Sequence, residues 1–426
     1  MRILFFNICI LLNVANAQNW RPAGLGANFN IETFLTDSNN NLYVGGTFTT
    51  IDGLPRNAIA IWDSTQWTDF GNNAIFKGTV SCMTFYNGNL IVGGSFDTIN
   101  NLPFNNIARW DGANWQPLGS GFNNSVYTLQ VYHDQLYAGG NFNLSGTDTT
   151  GHLGKWNGNN WVKAVTTDGY IFSSAIYNDK LIIGGQFTRI DGQTIYKVAA
   201  FNDTTWSDLN IILNNQVYRV KNIDDTLYLT GNFTQIIGYP FNYICRYDGT
   251  TWSQIAYPIG TTQSITDVEK YNSNLYLCGH FDDPDDLCLI DGLICDSIGS
   301  SNGFYLCMTT YKNELYVGGN FSSIGSVPLN CLAIYDDGFT SDIAEFQPES
   351  FHVYPNPYSK SFNRQLFFND NGVSIESISI FSMDGQILID SSDNNLQIDE
   401  LAEGIYIVII NTLEGKTLSK KLILTY

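Results

Sequence analysis

The chain has 426 residues, of which 40 are acidic and 20 basic, giving a formal net charge of −20. Nucleic acid and anionic membrane surfaces are not expected as partners, because both would repel so acidic a protein. The length suits one large and one small domain. No apolar run reaches the roughly 20 residues of a membrane-spanning helix, so no transmembrane anchor is expected.

The first 17 residues have the pattern of a cleaved secretory signal. A basic start, Met1-Arg2, precedes a mostly apolar run over residues 3–14, and Ala15-Asn16-Ala17 supplies small residues for cleavage. We therefore expect a signal peptide over residues 1–17 and a mature protein that begins near Gln18.

One motif recurs seven times between residues 18 and 340, with a glycine pair at its centre. The second glycine recurs at intervals of 40 to 48 residues, and the first is replaced twice, by Thr230 and Cys278. A phenylalanine always follows two residues later, and most units add two aromatic residues five apart in their second half. The second glycines are Gly46, Gly94, Gly140, Gly185, Gly231, Gly279 and Gly319.

A period of 40 to 50 residues built from short strands is typical of β-propeller blades. Each unit divides into four strands, and no stretch keeps a 3.6-residue period, so almost no helix is expected. The sequence therefore predicts an all-β protein whose residues 18–340 form a seven-bladed β-propeller. Glycine would lie where neighbouring blades come closest, and the aromatic rings would fill the gaps between blades.

The two ends of the repeat array complement each other. The seventh unit, ending at Tyr335-Asp336-Asp337-Gly338, lacks the second Trp. Asn19-Trp20-Arg21-Pro22 matches Asn114-Trp115-Gln116-Pro117 of the second unit. We therefore expect the N-terminal strand to complete the last blade and remove an open sheet edge.

Glycine pair, aromatic residue and Trp in this order resemble the kelch-like propellers, including the central domain of galactose oxidase. The resemblance covers residues 18 to about 340. The units also share Gly-x-Phe and a recurring Pro-x-Asn-x-x-Ala, as at Pro55, Asn57 and Ala60. A copper site of the galactose oxidase kind is not expected, because His133, His152, His280 and His352 lie far apart in the repeat pattern.

Residues 341–348 fall outside the repeats and are expected to be a linker. A different module over residues 349–426 shows alternating strands near 377–381, 386–389, 404–410 and 418–424. This pattern predicts a small Ig-like β-sandwich.

The same module resembles the type A C-terminal sorting domain of the type IX (Por) secretion system of the Bacteroidota. The resemblance implies recognition by that machinery, passage through the periplasm and outer membrane, and attachment at the cell surface or release. The matching positions are Tyr354, Pro355, Asn356, Pro357, Asp384, Gly385, Gly404, Tyr406, Lys420 and Lys421.

Cysteine offers little chemistry. Loss of the signal peptide leaves seven cysteines, an odd number, and most are expected to be small buried hydrophobic residues. Cys288 and Cys295 could face each other only diagonally across a hairpin. That diagonal is about 7–8 Å, which is too long for a disulfide.

Acidic motifs are weak candidates for a site. Asp111-Gly112 and Asp248-Gly249 superficially resemble the Asp-box of sialidases, but hairpin-turn chemistry explains them better. The arginines are scattered over different units. One dense cluster is the only candidate for Ca²⁺, without the spacing of a known calcium loop, and no cofactor is expected. It consists of Asp282, Asp283, Asp285 and Asp286.

Two functions remain open at this stage. The favoured one is a secreted or cell-surface binding or adhesion module, which binds a surface protein or a glycan through loops on a rigid scaffold. The alternative is a secreted carbohydrate-active enzyme, a polysaccharide lyase or glycosidase. The enzyme would require carboxylates, tyrosines and a basic group to converge at one mouth of the central channel.

Overall fold

The computed structural model describes most of the repeat region and short stretches of the C-terminal region. The Cα positions divide the chain into two compact units, 1–338 and 339–426. The expected signal peptide, the linker and the exact domain boundaries fall outside the described residues and stay predictions. The described residues are 20–236, 239–240, 243–255, 264–280, 286–291, 294–335, 352–354, 358–359, 367–369, 375–382, 387–391, 396, 398, 401–402, 404–412 and 417–425.

The described part of the first unit contains seven larger antiparallel sheets. In the first six the four main strands follow the chain from inner to outer, and in the seventh the outer strand comes from the start of the chain. The strands of the successive sheets are Ile31–Thr36, Leu42–Gly46, Ile59–Trp62 and Trp67–Thr68; Phe76–Tyr86, Asn89–Ile99, Ile107–Trp110 and Trp115–Pro117, with Leu102–Pro103 added beside the second; Val126–Tyr132, Gln135–Gly140, Leu153–Trp156 and Trp161–Val165; Ile171–Tyr177, Lys180–Gly185, Val198–Phe201 and Trp206–Ser207; Val217–Ile223, Thr226–Gly231, Ile244–Tyr247 and Trp252–Gln254; Ser264–Tyr271, Asn274–His280, Leu287–Asp291 and Ile294–Ser297; and Phe304–Tyr311, Glu314–Asn320 and Leu332–Tyr335, joined by Trp20–Pro22.

The N-terminal strand belongs to the last sheet, which confirms the expected pairing. Trp20 lies opposite Tyr335 in antiparallel register, and its indole N–H donates to the carbonyl of Ile298 at 2.9 Å. Trp161 makes the same contact with Leu118 of the preceding unit, 43 residues earlier in the chain. The same type of contact, from a Trp N–H to a backbone carbonyl, therefore joins consecutive units and also joins the chain start to the end of the sixth unit.

The two glycines of each pair lie at different close contacts with neighbouring segments of the chain. A Cβ on Gly139, the first of its pair, would lie 2.7 Å from Ile171 of the next unit's inner strand. A Cβ on Gly140 would lie 2.2 Å from the carbonyl oxygen of Ser125 in its own unit. The first glycine thus lets neighbouring sheets approach each other, and the second lets the inner hairpin close.

In six of the seven units the hairpin turn between inner and second strands places both turn residues in the left-handed region. His133 and Asp134 have φ of 44° and 57°, as a type I′ turn requires. The Asp-Gly turns between third and outer strands are closed by the aspartate itself. Asp111 accepts hydrogen bonds from the backbone N–H groups of Ala113 and Asn114 at 2.9 and 2.7 Å.

Short two-stranded hairpins follow the second strand in five units. One side chain at the start of the inner strand fastens each loop, as where Asn28 accepts from the N–H groups of Thr49 and Thr50. The hairpins are Thr50–Ile51 with Leu54–Pro55, Leu144–Ser145 with Asp148–Thr149, Arg189–Ile190 with Gln193–Thr194, Gln235–Ile236 with Tyr239–Pro240, and Ser323–Ile324 with Val327–Pro328.

Helix is almost absent, as expected. In the described part of the chain one 3₁₀ turn, Gly71–Asn73, represents it. No helix there has the length and apolar character that a membrane span requires.

The second unit is also made of strands. A five-stranded sheet contains one parallel pair at its edge, and two further strands pair separately. The sheet consists, in order, of Tyr358–Ser359, Thr417–Thr425, Gly404–Thr412, Ile375–Ser382 and Ile387–Ser391, and the separate pair is His352–Tyr354 with Phe367–Asn369.

One cysteine expectation is wrong. Cys288 and Cys295 form a disulfide with a Cα–Cα distance of 5.5 Å. They are diagonal partners, as expected, because Cys295 lies opposite Ile290 and Cys288 opposite Ser297. Strand twist shortens one diagonal of a hairpin relative to a flat ladder, which brings this pair within bonding range. The remaining described cysteines are free and buried, as expected: Cys82, Cys245, Cys278, Cys307 and Cys331.

Candidate functional site

The inner strands of all seven sheets line one cavity of about 420 Å³. Each of these strands has a β-bulge at the equivalent point, just before the residue that faces the first glycine position. Bulges free a residue from the ladder and are common beside functional sites. The seven bulge residues, here the bulge ring, are Glu32, Ser81, Tyr127, Phe172, Tyr218, Thr266 and Leu306.

Four charged side chains on the fifth and sixth inner strands form a charge cluster in this cavity. Lys221 Nζ lies 3.3 Å from Asp267 Oδ1 and 2.5 Å from Glu269 Oε2. Arg219 Nε lies 3.5 Å from the same oxygen of Asp267. Two cations and two carboxylates therefore neutralise one another within a single group of contacts.

Asp267 is the centre of the cluster and is only 3% exposed. Its carboxylate accepts hydrogen bonds from the backbone N–H groups of Val268 and Met308, both at 2.9 Å. Burial by itself lowers the pKa of Lys221, but the charges of Asp267 and Glu269 outweigh it and hold that pKa at about 12. Lys221 therefore remains protonated at neutral pH.

Glu32 is the remaining charged residue of the cavity wall and stands apart from the cluster. Its Oε2 accepts a hydrogen bond from the Ser81 hydroxyl at 2.8 Å. Among the described residues no cation lies within ion-pair distance of it. Burial raises the pKa of Glu32 and outweighs the opposing effect of the Ser81 hydrogen bond.

Three consecutive members of the bulge ring are aromatic and form an arc. The ring centroids of Tyr127 and Phe172 are 5.7 Å apart, and those of Phe172 and Tyr218 are 5.9 Å apart. All three side chains are half-buried. Among the described contacts neither tyrosine hydroxyl has a protein partner, so this aromatic arc presents ring faces and free hydroxyls.

Two cysteines, Cys82 and Cys307, also line the cavity. Burial raises the pKa of both thiols well above the ordinary value. A thiol with a raised pKa forms little thiolate and is a poor nucleophile. These cysteines therefore contribute packing to the wall.

The acidic cluster predicted from the sequence is only partly described. Asp282, Asp283 and Asp285 lie outside the described residues. Asp286 Oδ1 lies 3.7 Å from Nδ1 of His280, which is more than half exposed. Within the ranges given above, no three His, Cys, Asp or Glu side chains lie close enough to hold a metal ion.

The other histidines are not brought together by the described contacts. His133 lies in its predicted turn, where Nε2 is 2.8 Å from Asp179 and Nδ1 is 2.7 Å from Asp203. Hydrogen bonds to Asp179 and then Asp203 raise the pKa of His133. These contacts link the third unit to two turns of the fourth unit at the exposed turn face.

The predicted sorting residues fall in the second unit. Tyr406 is buried, and its hydroxyl donates to the carbonyl of Ala402 at 2.8 Å. Gly404 begins the strand that contains it. Tyr354, Lys420 and Lys421 lie in strands, whereas Pro355, Asn356, Pro357, Asp384 and Gly385 lie outside the described residues.

Sequence reasoning missed the charge cluster and Glu32. It treated Arg219 as one of several scattered arginines, whereas the fold brings it to Asp267. A signal was present in the strands themselves, because the position after the bulge carries Arg219 and Asp267 where other units have Thr, Ser or Cys.

Family models match both parts of the chain. Residues 9–168 match the Rax2 C-terminal beta propeller domain. Residues 352–425 match the secretion system C-terminal sorting domain. The first match supports the β-propeller class, and the kelch-like subtype stays a prediction. No curated protein matches the chain.

Solved structures give broad similarities at low identity. One is the extracellular domain of the putative hybrid two-component system BT3049 from B. thetaiotaomicron, at 12% identity and TM-score 0.44, over 93% of this chain and 55% of that one. Another is PorZ of Porphyromonas gingivalis, at 13% identity and TM-score 0.34, over 93% of this chain and 66% of that one. A third is an acylaminoacyl peptidase of Pyrococcus horikoshii, at 10% identity and TM-score 0.41, over 92% of this chain and 59% of that one. The chain spans between half and two-thirds of each.

The sorting-domain match has one direct consequence. The chain carries a C-terminal sorting signal of the type IX secretion system, and the protein is secreted or located at the cell surface.

Proposed function

We propose that this protein is a binding or adhesion module of the cell surface, in which the seven sheets are the blades of one closed propeller. The central cavity and the loops at its mouth would hold the ligand, a surface protein or a glycan. The observation that carries the proposal is the cavity itself, which is lined by every inner strand and by three members of the bulge ring, Glu32, Ser81 and the half-buried Tyr127.

The chemistry of the cavity favours binding over hydrolysis. Glycosidases use two carboxyl groups, one as acid and one as base or nucleophile. Asp267 is occupied by two backbone N–H groups and two cations, and Glu269 is held by Lys221. Glu32 is the one carboxylate of the wall outside that pairing. A single unpaired carboxylate in a wall that also contains the Tyr127 ring suits recognition of a ligand.

The C-terminal module supports the location of this function. We infer that it is of type A, forms an Ig-like sandwich and directs export, while the propeller binds. Its match to the sorting domain supports this division.

The test is a glycan and surface-protein binding array probed with the purified protein. We expect selective binding that the Tyr127→Ala variant loses, because Tyr127 supplies a ring and a hydroxyl at the cavity wall. Loss of one stacking aromatic residue typically reduces affinity by roughly tenfold or more.

The matched control is Val162→Ala, a 40% exposed residue on an outer strand. Its binding should equal that of the unmodified protein. Binding that survives Tyr127→Ala unchanged would place the ligand elsewhere. Turnover of an array polysaccharide would contradict the binding role altogether.

A further inference from the structure

The charges of the cavity wall do not balance. The wall contains two cations, Arg219 and Lys221, and three carboxylates, Glu32, Asp267 and Glu269. The cations are held by Asp267 and Glu269 at 2.5 to 3.5 Å. One negative charge, on ionised Glu32, is left without a protein counter-ion among the described residues.

Several features make Glu32 accessible to a ligand. The bulge removes it from the ladder between its strand and the next. Its only hydrogen bond among the described residues is the one from Ser81 to Oε2, so Oε1 and further lone pairs remain free. A half-buried carboxylate with one neutral partner pays a desolvation cost that a bound cation would relieve.

The aromatic arc belongs to the same bulge ring as Glu32. Ring faces attract organic cations through their quadrupole, most strongly where water is partly excluded. Tyr127, Phe172 and Tyr218 are half-buried and successive in the ring. Glu32 and Tyr127 line the same cavity, and a carboxylate with an aromatic ring is the chemistry that recognises a substituted ammonium group.

We propose that the central cavity binds a ligand through one organic cationic group, with Glu32 as its counter-ion and Tyr127, the member of the aromatic arc that lines the cavity, as its apolar wall. This inference rests on the proposed binding function and names the class of ligand. An anionic ligand fits less well, because Arg219 and Lys221 already face carboxylates. At about 420 Å³ the cavity has room for a small amine or an amino sugar.

The test uses calorimetric titration of the purified full-length protein with two matched pairs of probes. Choline is compared with its neutral isostere 3,3-dimethylbutan-1-ol, and glucosamine with glucose. We expect at least one cation to bind about tenfold or more tightly than its neutral partner, the effect of one charge-assisted contact together with a cation–π contact.

Variants assign the effect to the cavity. Glu32→Gln keeps the size of the side chain and should remove the preference for the cation. The Tyr127→Leu variant should weaken choline binding while Glu32 remains. Asp148→Asn, in an exposed hairpin of the third unit, should change nothing. Thermal melting of each variant checks that it is folded.

Binding should also weaken on acidification as Glu32 takes up a proton. The titratable groups that share the wall are Arg219, Lys221, Asp267, Glu269, Cys82 and Cys307, so Glu32→Gln should abolish this pH dependence if Glu32 is the group responsible.

Three results would overturn the inference. They are equal binding of cation and isostere, an unchanged preference in Glu32→Gln, and no binding of either cation at tens of millimolar. A neutral array ligand that needs Tyr127 but not Glu32 would overturn the cation inference and leave the binding function standing.

Discussion

Two carboxylates of the inner strands, Asp267 and Glu32, differ in how they affect the stability of the fold. Asp267 is buried and fully engaged by backbone N–H groups and cations. Removing one partner from such a buried group typically costs about 3–5 kcal/mol, because a charge is left uncompensated. Glu32 differs, since it is half-buried with one hydroxyl partner. A residue kept at a cost to stability is a reasonable mark of function.

Glu32→Gln is therefore expected to stabilise the protein at neutral pH. Burial raises the pKa of Glu32 above its ordinary 4.5, so the folded state holds the proton more tightly than the unfolded chain. Ionised Glu32 then costs stability above its folded pKa. This cost fades as the pH falls through that pKa towards 4.5. Urea unfolding should show a higher midpoint for the variant at pH 7 and a smaller difference near pH 4.

Asp148→Asn is the control for this measurement, because Asp148 is exposed. Its midpoint should follow that of the unmodified protein at both pH values. A Glu32→Gln midpoint equal to or below the unmodified one at pH 7, or a gap that widens on acidification, would contradict the assignment.

At the scale of elements, the repeated hairpins explain both the regularity and its exceptions. Type I′ turns and glycine pairs fix the inner two strands of the units. The sixth unit departs from the pattern, with Cys295 at a position where other units carry Trp. Its disulfide to Cys288 crosses the third and outer strands, and so replaces an aromatic contact with a covalent one.

We expect this disulfide to contribute about 2–3 kcal/mol to stability, the chain-entropy estimate for so short a loop. Reduction should lower the urea midpoint of the unmodified protein. The double variant Cys288→Ala and Cys295→Ala should be less stable than the oxidised protein, and a reducing agent should not lower its stability further. Identical midpoints in oxidised and reduced protein would show that the bond does not stabilise the fold.

At the scale of the whole molecule, a short strand at the chain start completes the seventh sheet. Trp20 is buried, lies 4.9 Å from the Tyr335 ring and bonds to Ile298. It thereby joins the seventh sheet to the sixth unit. The same kind of contact elsewhere joins units that are adjacent in sequence.

Deletion of residues 18–25 should destabilise the propeller by about 3–5 kcal/mol, the typical cost of losing one buried Trp. It would also expose an edge of the seventh sheet. Thermal melting compares the deletion with Trp20→Ala, which removes the side chain and keeps the strand. We expect the deletion to melt below the point variant, and melting within a degree or two of the unmodified protein would show that closure is made elsewhere.

Export and binding should separate between the two units. A protein that ends near Ser341 retains the repeat region and lacks the sorting-domain match at residues 352–425. We expect it to fold and to remain in the periplasm, as cell fractionation would show. Normal amounts at the cell surface would contradict the role of the C-terminal module.

Local sequence patterns were enough to predict much of the structure of this protein. The glycine pairs, the turn residues and the Trp that follows them recur because every unit packs its strands against its neighbours in the same way. That repetition predicted the strands of each unit, the almost helix-free fold and the pairing of Trp20 with the last unit. The sorting motifs were equally readable, because they are short and contiguous, and the sorting-domain match agrees with them.

Only the tertiary structure decided which single residues meet. Glu32, Arg219 and Asp267 lie on three inner strands at or next to the repeated bulge position, and the repeat pattern does not predict which charged residues there contact one another. They line one cavity because the seven inner strands do. The diagonal between Cys288 and Cys295 likewise depended on strand twist, which sequence spacing does not contain. Repetition revealed the scaffold, and the non-repeating residues became a site only when the fold brought them together.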